Sequence, residues 1–241
     1  MKSWLTTLTL AVMTLAASAQ EEESAYSPWH IYLNGNFQLG IPIESFRQNL
    51  DRTGFGGGGL LLLQIKRLPV YGGLELSGIT YDSESIRYTA NVGGFNQDYK
   101  LVTRNNIFLG HAVVRFQPPV NFPIQPYVDG MVGFKNLYTR TTLQNQDTEE
   151  SDGETDQHDW AFSYGGAAGI QLYLFKNKAI CIDLRCAYVP GANAKYLIRR
   201  DDTNGPFNDP LDAFRETASP TTILMPQIGV TIDLTTVERY D

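Results

Sequence analysis

Beyond residue 19 the chain has no apolar run approaching the ~20 residues that a membrane-spanning helix needs. A bilayer, if it is met at all, must be crossed by strands. Sustained helical stripes are missing too. Cations are outnumbered, 19 Lys and Arg against 26 Asp and Glu, for a formal charge of −7. That balance leaves no broad basic face for nucleic acid. Cysteine is scarce: Cys181 and Cys186, five positions apart, fall on opposite faces of one strand, so no disulfide is expected. Catalytic signatures are lacking. The three histidines, His30, His111 and His158, belong to no Gly-x-Ser-x-Gly elbow or His-Glu-x-x-His helix, and no glycine-rich phosphate loop precedes a helix. Residues Gly56 to Gly59 open a strand instead, which implies close backbone packing or loop flexibility.

What the chain does have begins at its start. Met1-Lys2, an apolar stretch from Leu5 to Leu15 and the small residues Ala17-Ser18-Ala19 have the form of a cleavable secretory signal, residues 1–19. The expected organisation is then a short periplasmic segment, 20–28, and one all-β domain, 29–241.

Period-two alternation predicts strands at 29–42, 56–66, 70–90, 98–117, 125–143, 159–175, 178–198 and 221–235. Their connections alternate between long (43–55, 91–97, 144–158, 199–220) and short (67–69, 118–124, 176–177). Such sorting fits an up-and-down barrel with tight periplasmic turns and larger outer loops. The loop from Gln144 to Asp159 carries seven carboxylates and no cation. It lacks the Asp-x-Asp-x-Asp-Gly order of a calcium loop, so a solvated surface loop is expected and no metal or cofactor is assigned.

Each strand has a greasy and a polar face. Trp29, Ile31, Leu33, Phe37, Leu39 and Ile41 oppose His30, Tyr32, Asn34, Asn36 and Gln38; Trp160, Phe162, Tyr164, Ile170 and Leu172 oppose Ala161, Ser163, Gly165, Ala167 and Gln171. A soluble carrier would turn the grease inward. Here the small residues sit on the polar face, where a narrow barrel is crowded, and rings cluster near strand ends, as in an interfacial belt. The expectation is a closed eight-stranded antiparallel transmembrane β-barrel. Trp29 and Phe116 are assigned to the periplasmic aromatic girdle, and Trp160, Phe162 and Tyr188 to the outer one.

With grease outward, the lumen receives Gln38, Glu75, His111, Arg115, Asp129, Asp183 and Arg185, together with Lys135, Gln64 and Gln171. Eight strands leave room for side chains rather than a channel. Buried charges must be paired, so Arg115 and Arg185 are expected to meet Glu75 and Asp183 in a polar plug. The alternatives are a narrow pore and a lipid A-modifying enzyme using His158 with Ser163 or Ser151.

The run Pro126-Tyr127-Val128-Asp129-Gly130-Met131-Val132-Gly133, followed by Gly165-Gly166-Ala167-Ala168-Gly169-Ile170-Gln171, resembles the outer-membrane protein β-barrel domain family, and more loosely the small OmpA/OmpX-type barrels. The resemblance spans the whole mature chain, from Gln20 onward, and carries no catalytic residues. It implies an outer-membrane location, lipid as surroundings, and a role in envelope integrity, adhesion or an accessory to a secretion or transport assembly through the outer loops. One departure is the end, Glu238-Arg239-Tyr240-Asp241, where the aromatic residue is penultimate.

Overall fold

The computed structural model describes residues 30–66, 68–92, 95–120, 122–145, 151–174, 179–199 and 214–237. The signal-like segment, Trp29, much of the acidic stretch and Tyr240 lie outside them. Ten strands are present among the described residues: β1 Ile31–Pro42, β2 Gly54–Gln64, β3 Val70–Val92, β4 Phe95–Phe116, β5 Ile124–Asn145, β6 Ser151–Tyr173, β7 Ile180–Val189, β8 Asn193–Arg199, β9 Phe214–Pro220 and β10 Ile223–Asp233. Eight of them close an antiparallel barrel in the order β1-β10-β7-β6-β5-β4-β3-β2, while β8 and β9 form a separate hairpin. The closing seam pairs Leu33 with Ile232 and Phe37 with Ile228. Around the ring itself, closure pairs both edges of every strand, and hydrocarbon would not satisfy the N–H and C=O groups of an open edge.

The barrel is inside out relative to a soluble protein. Leu74 (63% exposed), Phe162 (59%) and Ile228 (53%) face outward, whereas Arg115 and Gln38 are fully buried. An apolar belt encircling a protein far exceeds the patches that soluble monomers expose, and bulk water would penalise it at about 25 cal/mol per Å². The chain is a transmembrane β-barrel.

Strand lengths divide the barrel into halves. β1, β2, β7 and β10 have 12, 11, 10 and 11 residues, about one bilayer crossing. β3, β4, β5 and β6 have 23, 22, 22 and 23, roughly twice that. Their outer halves therefore rise past the rim as a four-stranded wall. Bulges between Thr80 and Asp82 and between Thr139 and Arg140 mark where the wall leaves the barrel proper.

Several sequence expectations are corrected here. The predicted strand 178–198 breaks at Pro190-Gly191-Ala192 into β7 and β8, because proline has no N–H for the ladder. The predicted linker 199–220 contains β9, and 43–55 contains a short helix, Glu44–Asn49. Linkers 91–97 and 144–158 are much shorter than expected, since β3 runs to Val92, β4 starts at Phe95, β5 reaches Asn145 and β6 starts at Ser151. Polar composition hid these strand ends: above the bilayer a wall no longer needs a greasy face.

The Gly56–Gly59 run lies within β2 and is no flexible loop. A Cβ on Gly56 would fall 1.8 Å from the Gly78 carbonyl oxygen, so only glycine lets β2 approach β3 there.

Candidate functional site: the lumen and its cap

Alternation turns one residue in two toward the axis, and the lumen fills in tiers. At the end of the barrel where β1 begins and β10 ends, Tyr32 stacks on Tyr71, centroids 5.2 Å apart, while His30 Nδ1 meets Asp233 at 2.6 Å.

The middle tier holds most of the charge. Arg115 grips Asp129 bidentately, Nε to Oδ1 at 2.8 Å and Nη2 to Oδ2 at 3.0 Å. Arg185 clasps Glu75 in the same way, at 2.7 and 3.0 Å, and its Nε lies 2.9 Å from Asp129. One carboxylate thus serves both arginines. Asp183 is 3.9 Å from Arg115 and accepts from Tyr127, from Gln171 at 3.2 Å and from Thr231 at 3.0 Å. Tyr127 also lies under the Arg115 guanidinium, 3.5 Å from plane carbon to ring centroid, a cation–π contact. Gln227 links Arg185 at 2.8 Å to Gln38 at 3.0 Å. A void of about 10 Å³, about one water's worth, lies between Asn34, Leu60, Arg115, Asp183, Arg185 and Gln227.

Above this tier Lys135, fully buried, donates to the carbonyls of Val189 (2.8 Å) and Thr221. Both oxygens flank the points where β7 leaves for β8 and β9 returns to β10, so one ammonium pins the base of the hairpin. His111 Nε2 contacts Ser163 Oγ at 2.9 Å, and Ser163 donates to the Pro190 carbonyl at 3.1 Å.

The β8–β9 hairpin folds over the mouth. Tyr196 and Ile198 of β8 and Phe214 of β9 are buried, together with Phe46 and Leu50 from the 43–53 connection and Tyr81, Ile107 and Leu137 from the wall. Phe46 meets Tyr196 edge-on at 5.1 Å and 86°. This second apolar core lies above the charged one and caps it.

Of the anticipated lumen residues, Gln64 is only half-buried, at the end of β2, where it donates to the Leu68 carbonyl. Gln38, Glu75, His111, Arg115, Asp129, Asp183 and Arg185 are all buried and inward. Of the outer rings, Trp160 (54% exposed), Phe162 (59%) and Tyr188 (43%) face outward, and Phe116 is half-buried at the opposite end of β4. The pairing of His158 with Ser163 is corrected: His158 is exposed, Ser163 is fully buried, and the serine's neighbour is His111. Ser151 opens β6. Cys181 is buried, Cys186 exposed, and both are free. Sequence reasoning missed Tyr127, Gln227 and the pinning role of Lys135. The signal for Lys135 was available, since a lone cation on a lumen face must find acceptors.

No family model and no curated protein matches the chain. Among solved structures it is similar to Neisserial surface protein A (TM-score 0.42, 9% identity, 88% of this chain and 100% of that one). It is also similar to Ail, the attachment invasion locus protein of Yersinia pestis, in complex with the heparin analogue sucrose octasulfate (0.36, 10%, 86% and 97%). A third likeness is to a major outer membrane protein from Thermus thermophilus (0.40, 11%, 86% and 100%). The closed ring of eight antiparallel strands stands on this chain's own strand pairings.

Proposed function

We propose that this chain is an outer-membrane barrel with a structural or interaction role, exported by the cleavable signal at 1–19 and presenting its outer wall and cap to the surroundings. The observation that carries this reading is the double closure of the lumen. An ion network in which Asp129 bridges Arg115 and Arg185 lies beneath an apolar cap centred on Tyr196. A conduit would have to break both. Nature of the partner aside, the wall suits contact: it is stiffened by continuous ladders far beyond the bilayer, so little ordering entropy is lost on binding.

The test is conductance of the refolded chain in planar bilayers. Closure of the lumen requires a flat baseline with no reproducible open level. A stable porin-sized step would overturn the plug and favour the pore.

A further inference from the structure

The outward face of the wall changes character above the aromatic belt. Alternation on β4 runs Phe108, Asn106, Arg104, the buried Val102 and then half-buried Lys100; on β5 it runs Phe134, Asn136, Tyr138 and Arg140. Register sets Arg104 directly opposite Arg140, and both are exposed. Farther out, exposed Arg87 of β3 stands opposite Lys100 of β4. Like charges directly opposite on a sheet repel, and here two such pairs share one face. Among the residues whose side chains the structure describes, the ion pairs include none of these four cations. In a chain of net charge −7 such a concentration runs against composition. An anion brought from outside would relieve the repulsion.

Position selects the anion. Arg104 lies four residues beyond Phe108, roughly 13 Å along a tilted strand. Phe134 and Trp160, in edge contact at 5.0 Å, mark the interfacial level just below. The guanidinium groups therefore stand where headgroups begin, and their stems can bend toward lipid. Arginine forks onto phosphate oxygens in pairs. We propose that Arg104 and Arg140, with Arg87 and Lys100 above them, bind the phosphates of a phosphorylated glycolipid in the outer leaflet, the chemistry of lipid A. The proposal rests on the outer-membrane reading and adds a ligand to it.

The experiment titrates the full chain, folded in zwitterionic detergent, with bis-phosphorylated lipid A, with the dephosphorylated lipid, and with a heparin oligosaccharide. The wild type is expected to prefer the phosphorylated lipid by about tenfold or more, a reasonable yield for two charge-assisted contacts. R104Q/R140Q is expected to lose that preference, and R104K/R140K to retain part of it. Heat-modifiable mobility reports folding in each case, and R87Q/K100Q substitutes if the inner pair does not fold. Equal affinity for the two lipids, or an unchanged preference in the glutamine variant, overturns the site. Heparin binding that the glutamine variant loses while lipid preference persists reassigns the patch to a soluble sulfated glycan, and also overturns it. A wild type that shows no heat-modifiable mobility sinks the barrel reading instead, so the two failures are distinguishable.

Discussion

At the residue scale, the lumen charges are held by geometry that tolerates few losses. Glu75 and Arg185 are almost wholly buried and make two short contacts. Removing one member of a buried pair strands the other, typically at about 3–5 kcal/mol. Glu75→Leu alone is expected to lower unfolding stability in urea by about that much, and Glu75→Leu with Arg185→Met to recover part of the loss. A double variant as unstable as the sum of the singles would show that the two side chains do not act as a pair. The inward direction of these residues was legible in the alternation of their strands. Their partners were less so: Asp183 is held by Tyr127, Gln171 and Thr231, and the carboxylate shared by both arginines is Asp129. Which inward carboxylate a guanidinium reaches depends on strand stagger around the barrel, and no local pattern encodes that.

At the element scale, the β8–β9 hairpin is the least anticipated feature. Its sequence reads as the tail of one strand followed by a polar loop, yet Pro190-Gly191 turns the chain inward. A Cβ at Gly191 would lie 2.2 Å from Thr221 Oγ1, so the turn packs tightly against the returning strand. Tyr196 supplies the centre of the cap, touching Phe46 and sharing a 2.7 Å hydrogen bond with Ser219. Tyr196→Ala is expected to loosen the cap by about 3 kcal/mol, as large-to-small core changes do. Hydrogen exchange should then rise in β8, β9 and the helix Glu44–Asn49 while β1 and β10 stay protected. Uniform exchange across the barrel would mean that the cap and the lumen unfold together.

At the scale of the whole molecule, the inverted surface makes the membrane assignment testable without any ligand. Trp4, Trp29 and Trp160 are the chain's tryptophans. In protein starting at residue 20 and carrying Trp29→Phe, Trp160 is the sole reporter. On insertion its fluorescence should shift to the blue and be quenched by lipids brominated near the headgroup end of their chains, more than by bromines at the bilayer centre. Quenching by aqueous acrylamide alone would place this ring in water and contradict the outer girdle. The length contrast among strands gives the same frame: four strands stop at the rim while four continue, so the molecule is a ring with a polar interior and a wall on one side.

What the sequence determined by itself was orientation and count. Period two is a local property, so a side chain's face follows from its neighbours alone, and closure in lipid with alternating turns leaves eight strands. What only the tertiary structure decided was who meets whom. Arg185 and Glu75 are 110 residues apart and Lys135 reaches Thr221 across 86. Such contacts exist only after the ring has closed with a particular stagger, because closure, and nothing in either segment, sets their relative height.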